Sequence, residues 1–195
     1  MRKDLRRQTI LLAAQQVFAE AGPEGVSMER VASMVGISRA VLYDHFPSRS
    51  DLMAAIHDDY GRFVQEKVSA AVAGRDRDLE TLARASVQGF LDAVAERGIL
   101  NRTVIRIAGS DPDMQESQRL LWHHAVDGTM QRVRPLLGPV DGRQLRLAAD
   151  MTLSLMVHAA TLWLGGECTR EEAEDLYVTM AVPALRAIGD SAPRS

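Results

Sequence analysis

The chain has 195 residues, enough for one large domain or two small ones, and its 46% hydrophobic and 25% charged residues mark a globular protein. One cysteine, Cys168, excludes an internal disulfide framework and a cysteine-cluster zinc site, and a reducing cytoplasm is the expected setting. The net charge of −3 hides an asymmetry: residues 1–50 hold seven Lys or Arg against five Asp or Glu, a local +2 that leaves −5 for the remainder. The opening residues are too polar for a signal peptide, and no apolar run is expected to reach membrane-spanning length.

The predicted elements are all helices; strand signals and internal repeats are absent. A first helix spans about Asp4 to Ala21, with Leu5, Ile10, Leu11, Ala14, Val17 and Phe18 as its apolar stripe, and Gly22-Pro23-Glu24-Gly25 ends it. Ser27 caps a second helix whose Met28, Val31, Ala32 and Val35 recur at helical spacing, and Gly36 supplies a left-handed turn that a Cβ would resist. Ser38 caps a third helix, Arg39 to about Phe46, with Val41, Leu42, Tyr43 and Phe46 placing an apolar face under a polar tip. Ala32 is small where two crossing helices must approach. This is the layout of a helix-turn-helix, whose second helix enters the DNA major groove.

Pro47 breaks the chain, and Ser48 starts a long helix to about Val72 with Leu52, Ile56, Tyr60, Phe63 and Val64 along one side. Beyond Gly74-Arg75-Asp76, helices are expected over about Asp78 to Glu96, Leu100 to Ile107, Met114 to Leu137 and Gly142 to Leu164. A last helix runs from a Thr169 cap to about Ile188, kinked at Pro183; Ala108 to Asp113 reads as a loop and the tail after Gly189 as loose. The fold class is all-α with about nine helices: an N-terminal three-helix helix-turn-helix domain, residues 1–47, and a larger C-terminal helical bundle, residues 48–195.

The run Ala32-Ser33-Met34-Val35-Gly36-Ile37-Ser38, followed by Leu42-Tyr43-Asp44-His45-Phe46 and Ser48-Arg49-Ser50-Asp51-Leu52, resembles the DNA-binding domain of the TetR family of transcriptional repressors. The remaining chain matches only in length and helical character. The resemblance implies a homodimer joined through the last two helices, a palindromic double-stranded DNA operator, and a small-molecule effector whose binding shifts the long fourth helix. It also implies that Tyr43 and His45 contact the DNA backbone or bases, and that Arg49 holds a phosphate. The residues themselves add Arg39, the strongly cationic side chain of the recognition helix, with Ser38 and Ala40 beside it, and Ser27, whose cap faces a phosphate. Asp44 is expected to pair with Arg39 or Arg49, although an acid there can also accept from a cytosine. Arg2, Lys3, Arg6 and Arg7 form a basic arm, read either as a solvated terminus or as a phosphate and minor-groove contact.

In the C-terminal part, Phe90, Trp122, His123, Val126, Met130, Met151, Leu155 and His158 are candidates for an apolar cavity, so the expected effector is largely apolar. The apolar side of the last helix, Leu176, Tyr177, Met180, Pro183, Ala184 and Leu185, is read as dimer interface together with Leu155, Ala159, Leu162 and Trp163. Adjacent His123 and His124 diverge by about 100° on a helix, a poor chelating pair, and His57 with Asp58 and Asp59 reads as polar helix surface. No phosphate loop or nucleophile elbow is present, so neither a metal, a cofactor nor a catalytic site is expected. Three alternatives use the same elements: a DNA-binding regulator without an inducer, a helical-bundle ligand-binding protein or enzyme without operator binding, and a purely structural dimer with no salt-sensitive DNA affinity.

Overall fold

The structure, a computed structural model, describes residues 3–75, 78–97 and 112–190. Among these residues there are eight α-helices and no strand: α1 Lys3–Ala21, α2 Met28–Val35, α3 Arg39–His45, α4 Arg49–Val72, α5 Leu79–Arg97, α6 Pro112–Leu137, α7 Gly142–Gly165 and α8 Arg170–Asp190. The short helix expected over 100–107 and most of the loop expected over 108–113 lie outside the described residues. The end of that loop is corrected: α6 begins at Pro112, where a missing backbone N–H costs a helix nothing. The chain divides into two compact units, Met1–Arg62 with Arg97–Leu121, and Phe63–Glu96 with Trp122–Ser195.

The first unit is closed by a buried cluster drawn from four helices. It joins Ile10, Leu11, Ala14, Val17 and Phe18 of α1, Met28, Val31 and Ala32 of α2, Leu42 and the adjoining Phe46, and Leu52, Met53 and Ile56 of α4. Leu5 is a correction: it is exposed, and α1 begins to bury side chains only at Ile10. The local signals act as expected. Ser27 Oγ accepts from the Arg30 N–H at 3.2 Å and Ser38 Oγ from the Val41 N–H at 3.3 Å. Gly36 takes the left-handed conformation, φ 71°, letting the Ile37 N–H reach the Ala32 carbonyl at 3.0 Å and turn the chain into α3.

His57 overturns its surface reading. It is fully buried on α4, and its ring pKa is pushed below the ordinary 6.5 by burial, against the opposing charge of Asp58. As pH falls below 6.5 the unfolded chain takes up a proton that folded His57 refuses, so stability falls from neutral pH toward the lower folded pKa. Urea midpoints at pH 7.5 and 5.5 test this. Wild type is expected to lose more stability on acidification than His57→Gln, and equal losses would remove His57 as the cause. Two residues on, the carboxyl of Asp59 is half-buried and accepts from Gln15 Nε2 on α1 and from Arg97 Nη1, both at 2.7 Å. Burial raises its pKa, but these bonds outweigh that and hold it below the usual carboxylate range.

In the second unit α5 is the innermost helix, burying Leu79, Leu82, Ala83, Ala85, Val87, Phe90, Leu91, Ala93 and Val94. A Cβ on its Gly89 would stand 2.9 Å from the Lys67 carbonyl oxygen and the Val68 Cα, so the missing side chain lets α4 and α5 approach. Asp141 caps α7 by accepting from the Gln144 N–H at 2.9 Å, and Thr169 caps α8 in a reciprocal bond with Glu172. The start of α8 is tied to α5 through Arg170–Asp92 at 2.6 Å and Gln88–Glu174 at 3.0 Å. α8 continues through Pro183, and its tail is helical as far as Asp190.

α7 corrects a further expectation. Gly142–Gly165 is long and apolar enough to cross a membrane by length and composition, its most apolar stretch having mean hydropathy 1.4 with only 28% of it buried. The reason is that two of its faces are apolar. Leu145, Ala149, Met156, Ala159 and Ala160 turn inward and α7 packs along α8, while Leu147 and Met151 point out, Met151 being 71% exposed.

Candidate nucleic-acid interface

α2 and α3 form the helix-turn-helix, with the α3 N-terminus and the α2 cap leaving side chains in solvent. Ser27 and Ser38 each accept a backbone N–H, which fixes the hydroxyl oxygen while the O–H remains able to donate to a phosphate. Arg39 and Ala40 are exposed at the first turn of α3, and Tyr43 is 40% exposed one turn on. Leu42 and Phe46, on the opposite face, are buried. The amphipathic division of α3 therefore sends Arg39, Ala40 and Tyr43 outward together.

Asp44 departs from its expected pairing. Arg39 is held instead by Glu29 of α2, Nη2 to Oε1 at 2.7 Å with both side chains more than half exposed. Arg49 lies at the first turn of α4, and its Nε and Nη2 donate to the carbonyls of Val26 and Pro23, each at 2.8 Å. That geometry makes Arg49 a strut between α4 and the loop entering α2. Neither partner was legible in the sequence, because Glu29 and Arg39 sit on different helices and carbonyl partners carry no sequence signature.

His45 is half-buried, and its Nδ1 is buried without a hydrogen-bond partner among the described residues. It borders an open depression of 470 Å³ with Lys3, Arg6, Val41 and Asp44. Three residues of the basic arm, Lys3, Arg6 and Arg7, belong to α1, and Arg7 stacks over the Phe46 ring at 4.6 Å. Arg2 lies outside the described residues. Two cations and an imidazole at one end of α3 suit a phosphate, whereas Asp44 opposes one.

The eight residues expected at a ligand cavity divide. Phe90 and Val126 are buried, and Trp122, Met130 and Leu155 are half-buried, the Trp122 Nε1 donating to Asp150 Oδ1 at 2.5 Å. His123, Met151 and His158 are exposed and do not line the interior of this unit. The expected interface set divides as well. Tyr177 and Leu185 are core, as is Ala159, while Leu176, Met180, Pro183 and Ala184 lie outside. Leu147, Met151, Ser154 and His158 recur at helical spacing on the exposed side of α7, and Leu176 and Met180 on that of α8.

A capped helix-turn-helix, with its polar tip in solvent and its base sealed into a four-helix core, defines a DNA-binding regulator. Residues 10–56 match the family model described as bacterial regulatory proteins, tetR family. The chain is 24% identical over 172 residues to the HTH-type transcriptional activator FasR of Mycolicibacterium smegmatis, covering 85% of this chain and 75% of that protein. Its fold is shared with a TetR-family regulator of Syntrophomonas wolfei (TM-score 0.79, 15% identity, 94% of this chain and 96% of that one). It is shared too with the multidrug binding protein EbrR in complex with imidazole (TM-score 0.71, 19% identity, 91% of this chain and 90% of that one). Residues 10–56 thus match a tetR-family DNA-binding domain, and together these likenesses support a TetR-family DNA-binding transcriptional regulator.

Proposed function

We propose that this regulator is a cytoplasmic homodimeric repressor that binds a palindromic operator and is released from it by a small, largely apolar effector. Residues 1–47 supply the DNA-binding part and residues 48–195 the ligand-binding and dimerising part. The observation that carries the DNA reading is the joint exposure of Arg39, Ala40 and Tyr43 at the start of a capped recognition helix; Ser27, Ser38 and His45 would add phosphate contacts. Arg49 positions α2 beneath them. The dimer reading is supported by the exposed apolar residues of α7 and α8, which leave two helix faces without a partner in the single chain. Within the second unit, Phe90, Trp122, Val126, Met130 and Leu155 are the cavity candidates that are buried or half-buried, and the likeness to EbrR, a multidrug binding protein solved with imidazole, supports a small-molecule ligand for this chain.

Selection of bound sites from random duplex DNA at moderate salt tests the reading. Wild type is expected to enrich one palindrome. Arg39→Ala is expected to weaken binding by about tenfold or more and to relax preference at the base pair it faces, the loss of a guanine-directed arginine being about 1–3 kcal/mol. Uniform weakening across all sequences would make Arg39 a phosphate contact. No enrichment by folded, dimeric wild type would refute operator binding. Transcription from the selected site, with and without the protein, decides its sign, and the likeness to an activator makes activation the competing outcome.

A further inference from the structure

Arg6 Nε on α1 and His45 Nδ1 at the end of α3 are both buried, and neither nitrogen has a hydrogen-bond partner among the described residues. A nitrogen buried in this way costs stability until something completes it. Both residues line one depression of 470 Å³, together with Lys3, Val41 and Asp44. Two helix faces meet there. Lys3 and Arg6 are one turn apart on α1, and Val41, Asp44 and His45 follow helical spacing on α3, so each set shares one side of its helix.

The neighbouring residues hold this pair in register. Arg7, next to Arg6, lies 4.6 Å over the ring of Phe46, next to His45, and Phe46 is 1% exposed. Arg6 and His45 are therefore placed before any ligand arrives, which removes part of the ordering cost of binding one. The charges that share the depression with the imidazole are Lys3 and Arg6 from α1 and Asp44 from its own helix. Two cations against one acid leave a formal +1, which draws an anion. The depression opens toward the C-terminal end of α3, away from Arg39 and Ala40. A recognition helix meets base edges with its N-terminal residues, so the anion available at its other end, beside α1, is backbone phosphate.

We propose that Arg6 and His45 together seat one backbone phosphate in each operator half-site, the arginine Nε–H and the imidazole Nδ1–H donating to its oxygens. The inference rests on the operator-binding reading above and adds to it a contact from α1, outside the helix-turn-helix. Both donors are within the chemistry of these side chains, the imidazole being in the tautomer protonated at Nδ1. Lys3, exposed at the rim, adds charge, and Asp44 subtracts it.

The palindrome selected from random DNA, resynthesised with a neutral methylphosphonate at one position of each half-site in turn, tests the seat by fluorescence anisotropy. Wild type is expected to lose about tenfold or more in affinity at the seated phosphate, the usual effect of removing a charged hydrogen-bond partner. Arg6→Met and His45→Phe keep the stem and the ring but lose the donor. Each should bind the unmodified palindrome more weakly than wild type, and each should lose little more when that same phosphate is neutral. Arg6→Met should also lower the slope of log affinity against log salt by about 0.9 for each phosphate given up. Both variants should melt no lower than wild type, since the lost nitrogens leave no partner behind among the described residues. Variants that lose as much as wild type at every position would put the phosphate contacts elsewhere, overturning the proposal while the operator reading stands. A lower melting temperature with an unchanged salt slope would make the pair structural and overturn it as well. No palindrome enriched by folded wild type would overturn the operator reading and the proposal with it.

Discussion

The double substitution Met151→Glu, Met180→Glu is expected to yield a folded monomer that no longer holds the palindrome. Met151 is 71% and Met180 55% exposed in the single chain, so neither side chain supports the unit's own core. In a two-fold dimer each change is made twice, and burying a methionine side chain contributes about 1.5–3 kcal/mol. Four methionine burials would be lost, and four carboxylates would have to leave water instead. The consequence for DNA is larger than the loss of any base contact. A monomer engages one half-site, and the advantage of linking two binding modules is about 10² to 10⁴ in affinity. Sedimentation velocity reports the oligomeric state and fluorescence anisotropy on the selected palindrome reports the affinity. A double variant that remains dimeric with unchanged affinity would place the interface elsewhere. Leu147 and Leu176, both 51% exposed, are the next positions to substitute in the same assay.

Phe46→Ala is expected to unfold the DNA-binding unit while the second unit stays helical. Phe46 is 1% exposed and packs with α1, α2 and α4 at the point where the chain leaves α3. Removing a buried phenylalanine costs about 3–5 kcal/mol, and the Arg7 guanidinium loses the ring it stacks on at 4.6 Å. A small unit has little stability to lose, because it buries a smaller fraction of its surface than a large one. Thermal melting followed by circular dichroism should show an early transition confined to part of the helical signal, and operator binding should vanish at the temperature where wild type is intact. A single unshifted transition would mean that the four-helix core tolerates the cavity. Leu5→Ala is the natural control: the residue is exposed on α1, and its loss should be within about 0.5 kcal/mol.

The first unit was the legible part. Its helix starts depend on Ser27 and Ser38, its turn on Gly36, and its α3 core on Leu42 and Phe46, and each acts through bonds or packing within a few residues or along one helix face. Such signals survive being read without neighbours. The same reading failed where a helix has two apolar faces. On α8, spacing collects Leu176, Tyr177, Met180, Pro183, Ala184 and Leu185 as one set, yet Tyr177 and Leu185 are core while the others face outward. Periodicity assigns residues to a face and is silent about what that face meets.

Polar residues show the division most clearly. His57 beside two aspartates has the composition of a surface, but the neighbouring Leu52, Met53 and Ile56 carry that side of α4 into the core, and the ring goes with them. Arg39 met Glu29 rather than Asp44, and Arg49 met two carbonyls of a preceding loop. The sequence by itself determined the helices, their caps and the helix-turn-helix, because these rest on local hydrogen bonds and periodic burial. Only the tertiary structure decided which apolar faces stay open and which charges find partners, because both depend on residues brought together from distant parts of the chain.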